Sequence, residues 1–314
     1  MNEERYCHSK ISMAILGTGA WGSALSTLAA ANGYHIKLWS RRSCQTLTEV
    51  VKDADIILSA VSMKGVRDII SQLQLVKISP KTILVTATKG LDPQTTCTPS
   101  QIWQKAFLKN PVVVLSGPNL SKEIQKGLPA ATVVASKIDG VAEMVQLIFS
   151  SYRFRVYTNH DPLGVELGGT LKNVIAIAAG VCDGLELGTN AKAALVTRGL
   201  AEMVRVGVDW GAQQDTFYGL SGLGDLLATC NSPLSRNYQV GYQLASGKKL
   251  SEIIENLEGT AEGVNTTQVL VRRARVQKIS IPIAEQVHRL LQAEISPQQA
   301  LWELMQRDVK AEYE

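Results

Sequence analysis

The 314-residue sequence predicts an α/β protein in two parts: a doubly wound sheet over residues 1–158, followed by an all-helical domain over residues 159–314. Three observations predict it. Short apolar, often β-branched runs alternate with amphipathic stretches through the first half, the pattern of parallel strands joined by helices. A Gly-x-Gly-x-x-Gly turn follows the first of those runs. Beyond Asn159 the apolar residues recur at helical spacing almost throughout.

Strands are expected at residues 11–16, 35–39, 55–61, 82–86, 112–115, 130–134 and 154–157. Helices between them, at 20–31, 65–73, 99–107, 121–126 and 140–149, supply the crossovers that parallel pairing requires. In the second half helices are expected at 165–180, 191–208, 224–230, 236–246, 250–255, 260–276, 283–293 and 297–305. Ser296 followed by Pro297 makes a sound helix entry, with Ser as N-cap and Pro at the first helical position. The boundary falls near residues 158–161, and the chain has no internal repeat and no low-complexity tract.

Composition excludes several classes of function. The chain is 45% apolar and 19% charged with a formal net charge of +4, which is ordinary for a soluble globular protein. No run of Lys or Arg exceeds two, and aromatics are not interleaved with basic residues, so nucleic acid is not an expected partner. The five cysteines, Cys7, Cys44, Cys97, Cys182 and Cys230, are scattered and read as reduced thiols. With four isolated histidines they offer no metal site. Residues 11–33 carry no charge and follow Lys10, which mimics a targeting or membrane segment; four glycines and several Ser, Thr and Asn residues break the run, so no membrane span is expected. The first ten residues are polar and expected to fray.

Gly17, Gly19 and Gly22, with Ala20 and Trp21 between them, sit after a strand and open a helix, as a Rossmann-type dinucleotide site requires. The glycines permit the tight turn and let backbone N–H groups approach a pyrophosphate at the helix N-terminus. A tight structural turn is the plain alternative. An NAD-selective site would place an acidic residue at the end of the second strand; here Trp39-Ser40 leads into Arg41-Arg42. Two guanidiniums can clamp a 2′-phosphate, so NADP(H) is favoured, with NAD(H) still open. A pair of solvated loop arginines is the competing interpretation.

The most informative residue is Lys172, which with Asn173 stands between Leu171 and the apolar stretch from Val174 to Ala179. An ammonium there either snorkels to water or is held for a purpose, since burying an unpaired charge costs several kcal/mol, about the whole stability of a domain. Withdrawal from water also lowers its pKa toward the range of useful proton exchange. Asp225 opens a helix after a Gly-rich entry, where it could equally be a cap. Ser235, Arg236 and Asn237 fall at another helix N-terminus, a natural anion site, although exposed Arg is common there. Glu262 lies between flexible residues, with capping an equal alternative. Lys89, in Ala87-Thr88-Lys89-Gly90, and Asn119, in Ser116-Gly117-Pro118-Asn119, follow strand C-terminal ends, where open α/β sheets bind ligands.

Taken together, GTGAWG, ATKG, LSGPN, GGTLKNVIAIAAG, TRGLAEM, SGLGDLLATC, SRN and GTAEGV resemble the bacterial NAD(P)-dependent glycerol-3-phosphate dehydrogenases over nearly the whole chain. GTGAWG is shared by many dehydrogenases, whereas GGTLKNV with SGLGD and SRN is specific. The resemblance implies that Lys172 is the proton donor and acceptor. It implies a small phosphorylated substrate, dihydroxyacetone phosphate or sn-glycerol 3-phosphate, against Lys89, Gly117, Asn119, Lys172, Asp225, Ser235, Arg236 and Asn237. It implies cofactor contacts at Ala20, Trp21, Arg41, Arg42, Lys89, Ser121, Arg236 and Glu262, with Asn119 and Ser121 at positions where the family varies. It also implies a cytoplasmic enzyme of phospholipid biosynthesis, with a homodimer left open. The stretch from Arg42 to Asp55 is shorter than the family's usual, so a strand–helix piece beside the adenosine pocket is expected to be missing.

In the expected reaction Asn173 and Asp225 hold Lys172 in place while Arg236 holds the phosphate. Another two-domain NAD(P)-dependent β-hydroxyacid or ketoacid dehydrogenase is the alternative enzyme, and a silent NADP(H)-binding regulator the alternative from another class.

Overall fold

A computed structural model describes residues 11–309, 311 and 312. Cys7 and the expected fraying of the first ten residues lie outside the described residues. Strands β1 (Ser12–Leu16), β2 (His35–Trp39), β3 (Ile56–Ser59), β4 (Ile83–Thr86), β5 (Val112–Ser116), β6 (Ala130–Ala135) and β7 (Phe154–Asn159) form a sheet in the order β2-β1-β3-β4-β5-β6-β7. The chain passes from β1 to β2 on one side, then returns to β3 on the other. That reversal opens a crevice at the strand C-termini.

Alternate residues explain the double winding. Met13 and Ile15 of β1, with Ile56 and Leu58 of β3, pack under α1 (Ala20–Ala31) and α6 (Val141–Phe149). Ala14, Leu16 and Ile57 face the opposite way, under α2 (Leu47–Val51), α3 (Met63–Gln74) and α4 (Pro99–Ala106). Each buried Leu, Ile or Met side chain among them contributes about 1.5–3 kcal/mol. Helix α2 was not expected from the sequence, yet its signal was there. Thr46 Oγ1 accepts from Glu49 N at 3.2 Å and Glu49 Oε2 accepts from Thr46 N at 2.7 Å, a reciprocal capping box.

One expectation is corrected. β5 and β6 run antiparallel, with Leu115 opposite Val134. The connecting helix α5 (Ser121–Gln125) climbs only ~7.5 Å, too little to carry the chain back along a five-residue strand. It stays at the same sheet edge beside α1, where Gln125 Nε2 donates to Ala20 O at 3.2 Å, so β6 must return in the opposite sense. β6 and β7 are again parallel.

After β7 the described chain is helical. Asp161 caps α7 (Pro162–Gly184) through Gly164 N at 3.0 Å, so this helix starts earlier and ends later than expected. By length and composition α7 could cross a membrane, but its apolar window is wholly buried inside the fold. Around it lie α8 (Gly188–Asp209), α9 (Asp225–Cys230), α10 (Arg236–Ala245), α11 (Leu250–Asn256), α12 (Glu262–Gln277), α13 (Pro282–Leu291) and α14 (Pro297–Met305). α7 and α10 cross so closely that a Cβ on Gly180 would meet Tyr238 O at 2.0 Å, and one on Gly241 would meet Ile177 O at 1.9 Å. Between α8 and α9, where no element was expected, a 3₁₀ turn (Gln214–Tyr218) and a π-helical turn (Leu220–Gly224) lead into Asp225. Cys44, Cys97, Cys182 and Cys230 are free thiols, the last two buried.

Candidate active site

Because β1, β3, β4 and β5 are parallel, the residues that follow them gather at one sheet edge. Gly17 follows β1, its N–H donating to Trp39 O at 2.8 Å. Its φ of +109° favours glycine, and an added Cβ would lie 2.8 Å from Ala60 O. At Gly22 a Cβ would come within 1.8 Å of Gly17 O, so helix α1 seats directly on the turn. Gly19 differs: a Cβ there would meet no protein atom within 4 Å. Its space is open toward a cleft of about 790 Å³ between the sheet edge and the helical domain. Such a turn, with room beside it, fits a dinucleotide phosphate.

Lys172 lies in the cleft wall and is 6% exposed. Its Nζ donates to Asp225 Oδ1 at 2.6 Å and to Thr229 Oγ1 at 2.5 Å. Lys89 Nζ approaches the same carboxylate, donating to Asp225 Oδ2 at 2.5 Å and to Gly117 O at 3.0 Å. Two ammoniums and one carboxylate leave one positive charge beside the cleft, a setting for an anionic ligand. Burial pushes Lys172 down to about 8, against the opposing pull of Asp225, and Lys89 adds to the lowering. Each ammonium has three N–H bonds, of which two are used among the described residues. One donor on each remains for a ligand.

Beside Lys172 the same helical side of the cleft joins three helices. Asn237 Nδ2 donates to Asn173 Oδ1 at 2.9 Å, and Gly263 N donates to Asn237 Oδ1 at 2.9 Å, tying α10 to α7 and α12. Asn173 therefore braces the helices instead of holding Lys172; Asp225 and Thr229 do that. Ser235 Oγ caps α10 through Tyr238 N at 3.2 Å, and the exposed Arg236 donates from Nη1 to Thr260 O at 3.2 Å. Glu262 caps a helix, but not its own: its Oε1 accepts from Met63 N, in the first turn of α3, at 3.0 Å. Burial raises its pKa. Asn119 Nδ2 donates to Thr132 Oγ1 at 2.8 Å, leaving Oδ1 buried and without a partner among the described residues. A buried acceptor in that state is a place for a ligand donor.

Of the residues singled out from sequence, the cleft lining brings together Gly19, Ala20, Trp21, Lys89, Asn119, Ser121, Lys172, Asn173, Ser235, Arg236, Asn237 and Glu262. Gly17, Gly22, Gly117 and Asp225 stand behind that lining, holding its parts. Arg41 and Arg42 do not line it: they are exposed in the turn after β2, where Ser43 N donates to Ser40 O at 2.9 Å. Neither guanidinium has a hydrogen-bond or ion-pair partner among the described residues. Thr229 was missed, although its place one turn after Asp225 puts both on one helix face. A cavity of similar size, about 780 Å³, opens beside Asp183 and Lys192, away from the strand ends. No cluster of three or more metal-ligating side chains occurs among the described residues.

A glycine turn at the crevice and a buried lysine of lowered pKa across from it define a two-domain, dinucleotide-dependent oxidoreductase. Comparison with known proteins narrows the class. The model described as the C-terminus of NAD-dependent glycerol-3-phosphate dehydrogenase matches residues 161–302, and that of the N-terminus matches residues 12–46 and 42–142. A glycerol-3-phosphate dehydrogenase (NAD(P)+) from Trichormus variabilis is 71% identical over 299 residues, covering 95% of this chain and 97% of its own. One from Nostoc sp. is 70% identical over 301 residues, covering 96% and 98%. The crystal structure of glycerol-3-phosphate dehydrogenase from Coxiella burnetii superposes with a TM-score of 0.91 at 34% identity, over 95% of this chain and 99% of that one. This chain belongs to the NAD-dependent glycerol-3-phosphate dehydrogenase family. A ketopantoate reductase from Ralstonia eutropha, at 14% identity and a TM-score of 0.58 over 93% of this chain and 100% of its own, shares the fold alone.

Proposed function

We propose that this protein reversibly reduces dihydroxyacetone phosphate to sn-glycerol 3-phosphate with a nicotinamide dinucleotide, using Lys172 as general acid and base. The observation that carries the proposal is the Lys172 ammonium, buried in the cleft wall with its pKa lowered to about 8. A bound nicotinamide supplies hydride to the ketone carbon. Lys172 gives its proton to the oxygen as charge develops there, and in the reverse direction the neutral amine takes it back. Asp225 holds both lysines, and the positive charge left over stabilises the developing alkoxide. Arg236 and the free N–H groups in the first turn of α10 hold the phosphate, with a charge-assisted contact worth ~1.5–3 kcal/mol. Asn237 spends one Nδ2 hydrogen on Asn173 and accepts from Gly263 through Oδ1, so its second Nδ2 hydrogen and its backbone N–H are what it offers. Pinning the phosphate orients the ketone for transfer.

Gly19, Ala20 and Trp21 cradle the cofactor phosphates, and Asn119 Oδ1 accepts a donor from cofactor or substrate. For cofactor choice we favour NADP(H): the turn carrying Arg41 and Arg42 begins beside Gly17, and both cations are free to meet a 2′-phosphate. Family membership supports a cytoplasmic role in supplying glycerol phosphate for glycerophospholipids. The test is NADPH oxidation by purified protein with dihydroxyacetone phosphate, repeated with NADH. Oxidation dependent on that substrate is expected; its absence with both cofactors refutes the assignment.

A further inference from the structure

Lys172 depends for its place on α7, and α7 is tied to the sheet domain by a carboxylate that takes no part in the cleft. Glu166, on the same helix, is 2% exposed. Its Oε1 accepts from Ser100 N at 2.9 Å and its Oε2 accepts from Ser100 Oγ at 2.5 Å. Ser100 is the second residue of α4, so its N–H is one of the donors that a helix start leaves without an internal partner. One turn further along α7, Thr170 Oγ1 accepts from Gly90 N at 3.1 Å. Gly90 follows Lys89, the second ammonium on Asp225. α7 therefore grips both ends of the segment that runs from Lys89 to Ser100, while Asn265 of α12 holds the residue after Gly90 through Leu91 O at 2.8 Å.

We propose that Glu166 is a positioning residue: its paired bonds to Ser100 fix α7 against the β4 side of the cleft and so set where Lys172 Nζ stands relative to Lys89 and the reacting carbonyl. This rests on the dehydrogenase function proposed above. Burial raises the Glu166 pKa to about 7, against the pull of its bonds to Ser100, so the group is present in both forms near neutral pH. The bridge survives either way. A carboxylate accepts both bonds; a carboxylic acid accepts the N–H and donates its O–H to Ser100 Oγ. Bridging, not charge, is what the geometry requires, and glutamine can supply it by accepting the N–H through Oε1 and donating from Nε2 to the hydroxyl.

The experiment compares kcat, the KM for NADPH and the thermal midpoint for the wild type, Glu166→Ala and Glu166→Gln. Since a ~1 Å misplacement can cost about 10²-fold, Glu166→Ala should lower kcat at least about tenfold with KM for NADPH nearly unchanged. Glu166→Gln should restore most of that kcat. Full kcat in a folded but less stable Glu166→Ala would reduce the residue to a structural role and overturn the proposal, as would a Gln variant that fails with the Ala variant. If Glu166→Ala does not fold, Ser100→Ala, which removes one of the two bonds, carries the test. A several-fold loss of kcat with unchanged KM is then expected, and wild-type turnover overturns the proposal. An inactive wild type would sink the functional assignment and this inference together, whereas an active one leaves the inference alone on trial.

Discussion

At the scale of single residues, Lys172 is an ammonium that has left water without losing a partner. Burial alone would drive Lys172 lower than it stands, because taking an ion into a poor dielectric costs several kcal/mol. Asp225 offsets part of that cost, and the result is a pKa of about 8 in place of 10.5. The sign of the pH dependence follows. With Lys172 as the proposed acid and base, ketone reduction uses the protonated amine, so its rate should fall as pH rises through about 8; glycerol phosphate oxidation uses the neutral amine and should rise over the same range. Asp225→Asn removes the opposing charge, so the falling limb should move to lower pH, and a pH–rate profile left in place would contradict the coupling. Stability carries the same signature. Below about 8 the folded chain holds an ammonium that unfolding would release to water, a cost that fades as pH rises toward 10.5. Lys172 was legible because a charge beside an apolar run must be explained. The exchange of Asn173 for Thr229 as its partner was not, because it depends on how α9 is turned against α7.

At the scale of elements, strands and helices were legible where periodicity was long and punctuated. Ser296 and Pro297 opened α14 as expected, with Ser296 Oγ accepting from Gln299 N at 3.1 Å. The reversal of β6 was not legible, because a short apolar strand has no direction in its sequence; the brevity of α5 was the available clue. The π-helical turn before Asp225 also escaped, since Gly219, Gly222 and Gly224 weaken any helical pattern. It matters for the site because it brings Asp225 in under both lysines. The α7–α10 crossing carries a sharper test. With Tyr238 O where a Gly180 Cβ would go, Gly180→Ala must push the helices apart, at ~1–3 kcal/mol or more. Urea denaturation should register that loss, together with lower activity, because α10 carries Arg236. An unchanged midpoint would mean that the helices can part at this crossing without loss.

At the scale of the whole molecule, the sheet edge and the helical domain each hold part of the proposed site. Glycines, Lys89 and Asn119 come from one half; Lys172, Asp225 and Arg236 come from the other. The sequence motifs identified both halves, yet only the fold puts them across one cleft. Glu262 illustrates the difference: as a residue it offered a cap or a ligand contact, and in the structure it caps α3 of the other half while lining the cleft. Arg41 and Arg42 test the outer end of the site. If they meet a 2′-phosphate, replacing both by Ala should weaken NADPH about tenfold or more and leave NADH almost untouched. Equal losses would remove the assignment.

The central claim is tested most directly by the turnover of Lys172→Ala with NADPH and dihydroxyacetone phosphate, measured beside its NADPH dissociation constant. Loss of a positioned proton donor predicts a fall in kcat of ~10²–10⁴-fold with cofactor affinity barely changed. Near-normal turnover in the folded variant would contradict it.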